Sequence, residues 1–321
     1  MSRPPRIPDL LTGRPFSREQ ALAAGLTSRQ LRGRHLRRLF PRVYVEADHV
    51  MTDLDWIVAA SLAMPPQAQL SHLTRINALG LEYGPLRPFQ FVVGSDLHLD
   101  LPGIFLHRTE LLPPLDDVGV TPAAAFIGYA ASARMIDLIC VGDWLLHRDH
   151  MALIEVAELA RRDLWRPGSR QALRVLPYLD CRARSVKESE TRALLIFAGL
   201  PVPEVNLDLF DGPTFLACVD LAYPVWRLII EYEGRQHAED PYQFNRDIGR
   251  YARLRDGSWE YVQITQELLR QPRALVIRVH RKLVERGYTG PAPVFGPTWL
   301  SLFEPVRLRK PQVAVGQQRQ N

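Results

Sequence analysis

The stretch Val219-Asp220-Leu221-Ala222-Tyr223-Pro224, followed by Leu228-Ile229-Ile230-Glu231-Tyr232-Glu233-Gly234, limits what this chain can fold into more than any other. It reads as two short apolar strands joined by a Pro-containing turn. A turn centred between Pro224 and Val225 sets Asp220 opposite Ile229. Side chains alternate along strands with period two, so Asp220, Glu231 and Glu233 then share one face. Glu231 becomes the diagonal neighbour of Asp220, about 7–8 Å away backbone to backbone. Carboxylates crowded in this way repel one another unless a cation sits among them. A hard divalent ion such as Mg²⁺ is the natural occupant, and phosphodiester cleavage is its natural chemistry. The plain alternative is the solvent face of an edge hairpin. Against it stands the continuous apolar run Leu228-Ile229-Ile230, the pattern of a central strand buried on both faces.

At 321 residues the chain is long enough for two or three domains. No apolar run is long enough to span a bilayer, and the N-terminus is rich in Arg and Pro rather than apolar, so neither a membrane span nor a signal peptide is expected. Cys140, Cys181 and Cys218 lack metal-like spacing and read as reduced residues of a cytoplasmic protein. The formal net charge is +5, yet residues 1–45 hold ten Arg against Asp9 and Glu19, which leaves the remainder at about −3. A basic segment on a near-neutral body points to nucleic acid, through neutralisation of phosphates. Its clustering carries that argument. Abundance does not, because 37 Arg against 3 Lys looks like codon bias.

Ser17-Arg18-Glu19-Gln20 is a capping-box pattern that opens a short helix through Ala24. Gly25-Leu26 turns the chain, and Thr27-Ser28-Arg29-Gln30 repeats the box to open a second helix. Helix, short Gly-containing turn, helix is a helix-turn-helix pattern. The second helix and its flank carry Arg29, Arg32, Arg34, Arg37 and Arg38. Pro41-Arg42-Val43-Tyr44-Val45 reads as the strand of a wing, so these arginines with Arg42 are the candidate contacts to double-stranded DNA. The competing reading is a basic, solvated helical hairpin that only packs against the rest.

Phe16 to Val45 resembles the N-terminal winged-helix domain of AbiEi-type antitoxins of type IV toxin–antitoxin systems. The resemblance rests on Phe16, the Ala23-Ala24-Gly25-Leu26 turn and Arg42-Val43-Tyr44. It implies DNA binding and a cognate toxin as partner. The family usually has Gly-Val-Tyr after the arginine, whereas this chain goes directly to Val43-Tyr44.

Between these ends the sequence predicts helices over 54–64 and 72–81, strands near Phe89–Val93 and Ile104–His107, and two helices over about 122–139 and 142–163. His72, His98 and His107 lie on different elements without paired spacing, and read as exposed or hydrogen-bonded histidines rather than metal ligands.

After Arg182-Ala183-Arg184 a new pattern begins. Ser185-Val186-Lys187-Glu188 is a capping box opening a helix to Ala198, ended by Gly199 and Pro201. Strands are expected at about 203–210, 214–221 and 226–233. Asp240-Pro241 opens a further helix to Asp256, Trp259–Ile264 forms a fourth strand, and a last helical region runs from Thr265 to Arg286. The tail from Arg309 to Asn321 is polar and expected to be disordered.

That order, with its carboxylates, resembles the PD-(D/E)XK nuclease superfamily, and within it the bacterial domains related to very-short-patch-repair (Vsr) endonucleases. The resemblance covers about 185–283. It rests on Glu188, Ala198-Gly199-Leu200-Pro201, Val219-Asp220, Glu231-Tyr232-Glu233-Gly234 with His237, Asp247 and Arg250 on the next helix, and Gly257. It implies Asp220 and Glu231 as ligands of Mg²⁺ or Mn²⁺, and Glu188 acting directly or through metal-bound water. His237 or Glu233 would be the base, with Asp247 and Arg250 in support. Where the superfamily has lysine two residues after the acid, this chain has Glu233, leaving Arg235 or Arg250 as substitute cations. Glu188 could instead serve its capping box, with Glu190 the alternative in a shifted register, and Asp247 with Arg250 could be a surface ion pair.

The expected fold class is mixed α/β. A winged helix-turn-helix (1–50) is followed by a mainly helical connecting region (51–182), a restriction-endonuclease-like αβββαβ core (183–290) and a C-terminal extension (291–321). The expected function is a divalent-metal-dependent DNA endonuclease. The alternative is an AbiEi-like regulator or antitoxin whose nuclease-like domain is inactive.

Overall fold

The computed structural model describes residues 7–232 and 257–306 of the protein, a mixture of helices and small sheets. The chain divides into two compact units, residues 1–129 and 130–321.

In the first unit, local capping chemistry starts the helices where the sequence predicts them. After β1 (Phe16–Ser17), the Ser17 hydroxyl accepts from the Gln20 amide at 3.1 Å while the Gln20 side chain accepts from the Ser17 amide at 2.8 Å, opening α1 (Arg18–Ala23). Thr27 and Gln30 repeat the exchange at 3.3 and 2.7 Å to open α2 (Ser28–Leu31), which is a single turn. Arg37 and Arg38 therefore fall on β2 (Leu36–Phe40) rather than on a helix. Pro41 and Arg42, expected within a strand, form the turn into β3 (Val43–Glu46). There Arg42 adopts a left-handed φ of 63°. The sheet order is β1-β3-β2, antiparallel throughout.

Phe40 and Val43 of this hairpin share a hydrophobic core with Ile57, Ala59 and Ala60 of α3 (Asp53–Ala63) and with Phe89 and Phe91. The second sheet of the unit contains β4 (Gln69–Leu70), β5 (Phe89–Val93) and β6 (Ile104–Arg108), with β5 and β6 parallel. Helix α4 (His72–Asn77) is shorter than the expected 72–81, and α5 (Pro122–Ala130) follows β6.

The two long helices expected over 122–139 and 142–163 prove to be three, α5 and two more in the second unit. The others are α6 (Met135–His147) and α7 (Leu153–Arg162). One break comes where the Asp137 carboxylate accepts from the Arg134 amide at 3.3 Å and so begins a new helix; the other comes at Asp149, with a φ of 54°. Helix α8 (Ser169–Val175) leads to α9 (Val186–Phe197), which packs on α6.

A four-stranded sheet follows: β7 (Glu204–Asp211), β8 (Thr214–Tyr223), β9 (Leu228–Tyr232) and β10 (Glu260–Ile264), in the order β10-β9-β8-β7. The first three strands are antiparallel neighbours, while β10 joins β9 in parallel. Parallel pairing needs a crossover of about a dozen residues or more, and 233–259 supplies it. The predicted helix opened by Asp240-Pro241 lies outside the described residues, as does the tail from Arg309 onward. Thr265 caps the helix Gln266–Leu269 through the Leu268 amide, at 3.2 Å, and Pro272–Glu285 follows. The extension beyond residue 290 returns to this unit: the Val294 amide donates to the Ala198 carbonyl at 2.9 Å, and Trp299 is buried.

His72 and His107, read from the sequence as unrelated, are stacked in the first unit with ring centroids 3.8 Å apart and planes 10° from parallel. His72 opens α4 with a left-handed φ of 51°. Parallel rings aim their nitrogen lone pairs side by side rather than at a common point, so the pair is not a chelate. Burial, then the neighbouring His107, lowers the His72 pKa from 6.5 to about 3, and burial lowers that of His107 to about 4. Below about pH 6.5 the unfolded chain binds protons that the folded pair refuses, so the stability these histidines contribute is complete above that pH and is lost as pH falls. Urea unfolding between pH 7.5 and 5 should show this loss, and His107→Phe should flatten the slope.

Candidate active site

Position on adjacent strands decides which polar groups meet. The β8–β9 connection is a 3-10 turn, Pro224–Trp226, closed by the Arg227 amide donating to the Pro224 carbonyl at 3.0 Å, with Arg227 left-handed at a φ of 46°. This moves the centre of the hairpin one residue on from the predicted turn. Observed partners are Leu221↔Ile230, Ala222↔Ile229 and Tyr223↔Leu228. Asp220 therefore aligns with Glu231 rather than Ile229, which corrects the diagonal placement to a direct one. The shift is two positions along the partner strand, so the two carboxylates still share a face, one step beyond the last paired rung, Leu221↔Ile230.

The same register extends across the sheet. Val205 pairs with Leu221 and Leu207 with Val219, so Asn206 stands opposite Asp220. On the other side Gln263 pairs with Glu231. A polar row, Asn206–Asp220–Glu231–Gln263, thus crosses a sheet whose neighbouring positions Val205, Leu221, Ile230 and Val262 are buried and apolar.

Each acid is held. The Tyr232 amide, two residues along β9 from the last β8–β9 rung at Ile230, donates to Asp220 Oδ2 at 3.0 Å. Glu231 is buried, and its Oε2 accepts from the Tyr261 hydroxyl at 3.1 Å. Tyr261 is two residues before Gln263 on β10 and so faces the same side.

Glu188 is also buried, and half of its predicted capping box forms: its amide donates to the Ser185 hydroxyl at 3.2 Å. Its carboxylate does not complete the box. Oε2 accepts from the Arg184 amide at 2.9 Å and from the Asn206 side chain at 2.6 Å. Helix α9 is thereby tied to the end of the polar row. Glu190, the alternative acid, pairs instead with Lys187 at 2.9 Å. Arg184 reaches Cys218, two residues before Asp220 on β8, at 3.5 Å. Glu233, His237, Asp247 and Arg250 lie outside the described residues, and so does Arg235. Among the described residues, no three of His, Cys, Asp and Glu converge as a metal-ligand set.

Asn206, Tyr261 and Gln263 were not singled out from the sequence. Each becomes visible once the register is known, because each belongs to the row or supports it from an outer strand. In the first unit Arg29, Arg32, Arg34, Arg38 and Arg42 are exposed. Arg37 is partly buried and donates to the His49 carbonyl, so it is engaged within the fold.

The fold and this row define a mixed α/β protein with a carboxylate pair at the centre of a small sheet. No family model and no solved structure matches the chain. Two uncharacterised proteins of Mycobacterium tuberculosis, MT2308 and Rv2248, are each 30% identical to it over 167 residues, 52% of this chain and 62% of theirs. The chain spans about three fifths of the length of these curated relatives. Among the described residues no helix is long and apolar enough to cross a membrane.

Like charges placed across from one another on adjacent strands are destabilising. Glu231→Gln keeps an acceptor for Tyr261 and removes that repulsion. It should raise stability in EDTA by about 1 kcal/mol, read as a higher urea midpoint at unchanged slope.

Proposed function

We propose that this protein is a divalent-metal-dependent DNA endonuclease that hydrolyses a phosphodiester bond at the row centred on Asp220 and Glu231. The observation that carries the reading is the β8–β9 register, whose continuation sets Asp220 across from Glu231 on adjacent central strands, with Glu188 tied to the same row. The donor set is made of hard oxygens. Mg²⁺ is commonly held by one or two carboxylates, with waters and substrate phosphate completing its shell, so a pair without a third converging ligand suits it. Asp220 and Glu231 would hold Mg²⁺ or Mn²⁺, which when bound lowers the pKa of water and offsets charge on the scissile phosphate.

The remaining work falls to the chain. Tyr261 and the Tyr232 amide orient the two carboxylates, and Glu188 on α9 is tied to the end of the row through Asn206. His237 or Glu233, as the resemblance to Vsr-like nucleases implies, would take the proton of the attacking water. The exposed Arg29, Arg32, Arg34, Arg38 and Arg42 would bring duplex DNA to the protein by phosphate contacts, which position without reading sequence. A cytoplasmic setting suits a DNA-cleaving chain in which, among the described residues, no disulfide joins the cysteines.

The second reading is a DNA-binding regulator of the AbiEi-like type, with a cognate toxin as partner and an inactive nuclease-like domain. It is favoured by the glutamate in place of the motif lysine and by the absence of a three-residue ligand set among the described residues.

Incubation of supercoiled plasmid with Mg²⁺ or Mn²⁺ separates the two. Metal-dependent nicking that falls at least a hundredfold in Asp220→Ala is the expected result, about 2.7 kcal/mol of barrier. Metal-independent DNA binding without cutting, unchanged in Asp220→Ala, would favour the regulator.

A further inference from the structure

We propose that Asn206 is a positioning residue that holds Glu188 of α9 against the Asp220 rung. The geometry stands by itself, and the catalytic consequence rests on the nuclease reading above.

Asn206 lies inside β7, yet its φ is 46°, in the left-handed region that interrupts a regular pleat. Asparagine tolerates that region better than other residues with a side chain, apart from aspartate. From this position the side-chain amide donates to the Arg182 carbonyl at 2.7 Å and to Glu188 Oε2 at 2.6 Å. Both partners are acceptors, so the NH₂ end must face them.

Helix capping does not explain the arrangement. The Ser185 hydroxyl already takes the Glu188 amide, and an ordinary capping glutamate would turn back to the Ser185 amide. Glu188 instead gives one oxygen to two donors, the Arg184 amide and Asn206, and is 7% exposed there. A bare turn function does not explain it either, since glycine would adopt the same φ with less strain. What the asparagine adds is the amide, and the amide joins the helix carboxylate to the strand position opposite Asp220. Groups that orient an acid beside a metal typically change affinity or activity tenfold to a hundredfold when removed.

Asn206→Gly removes the amide while accommodating the backbone, so the fold should persist with a modest loss of stability from the two lost hydrogen bonds. The test is the Mn²⁺ concentration that half-saturates plasmid nicking by the full chain. The expected result is a rise of roughly tenfold in Asn206→Gly, a similar rise in Glu188→Gln, and no further rise when both are combined. A wild-type Mn²⁺ response in a folded Asn206→Gly protein would overturn the proposal, as would independent, multiplying effects. If wild type neither nicks DNA nor binds Mn²⁺, the nuclease reading fails. The clamp is then decided by the urea midpoints of the same four proteins: non-additive shifts support it and additive shifts refute it.

Discussion

Helix α9 occupies a position that the rest of the second unit depends on, and a buried ion pair holds it there. Arg192 donates to Asp143 of α6 at 2.7 Å and to the Tyr178 carbonyl at 2.7 Å, while Asp143 also accepts from the Asp180 amide at 2.7 Å. Burial pushes the Asp143 carboxyl upward even though Arg192 favours its charged form. Such a pair is weak evidence for net stability, because desolvation offsets much of the attraction. Breaking it is another matter, since removal of one partner leaves an uncompensated buried charge, at about 3–5 kcal/mol. The pair therefore sets α9 in one place. Glu188 is four residues before Arg192 on the same helix, one turn away, so that anchorage also fixes where its carboxylate meets the sheet.

Against this rigid background the polar row is an expensive feature. Like charges brought together on adjacent strands repel one another, and Glu231 is buried. The flanking rung, Leu221 with Ile230, shows what the same strands look like where no such group is placed. A fold that keeps acids on adjacent central strands, orients Glu231 with Tyr261 and holds Glu188 with Asn206 would suit a positively charged visitor. That physical argument, more than the resemblance to any nuclease, supports the reading of a metal-assisted site.

How much of this could be read beforehand follows the range of the interactions. The capping boxes at Ser17 and Thr27 involve residues three apart, and both formed as read. Strand alternation correctly set Asp220 and Glu231 on one face, because parity survives a shift of two. Their direct apposition was missed because it hangs on Arg227 adopting a left-handed φ, a preference its residue type does not announce. The same cause split the long predicted helices at Asp149. Asn206 and Tyr261 were illegible for a different reason: an asparagine and a tyrosine in separate strands acquire meaning only through contacts 18 and 30 residues away along the chain. The stack of His72 on His107 is long-range in the same sense.

The central claim is that the carboxylate row is a cation site, and calorimetric titration of the full chain with Mn²⁺ tests it most directly. The account predicts saturable binding to the wild type that is lost or weakened at least tenfold in Glu231→Gln, about 1.4 kcal/mol. Equal binding by both proteins, or none by the folded wild type, would contradict it.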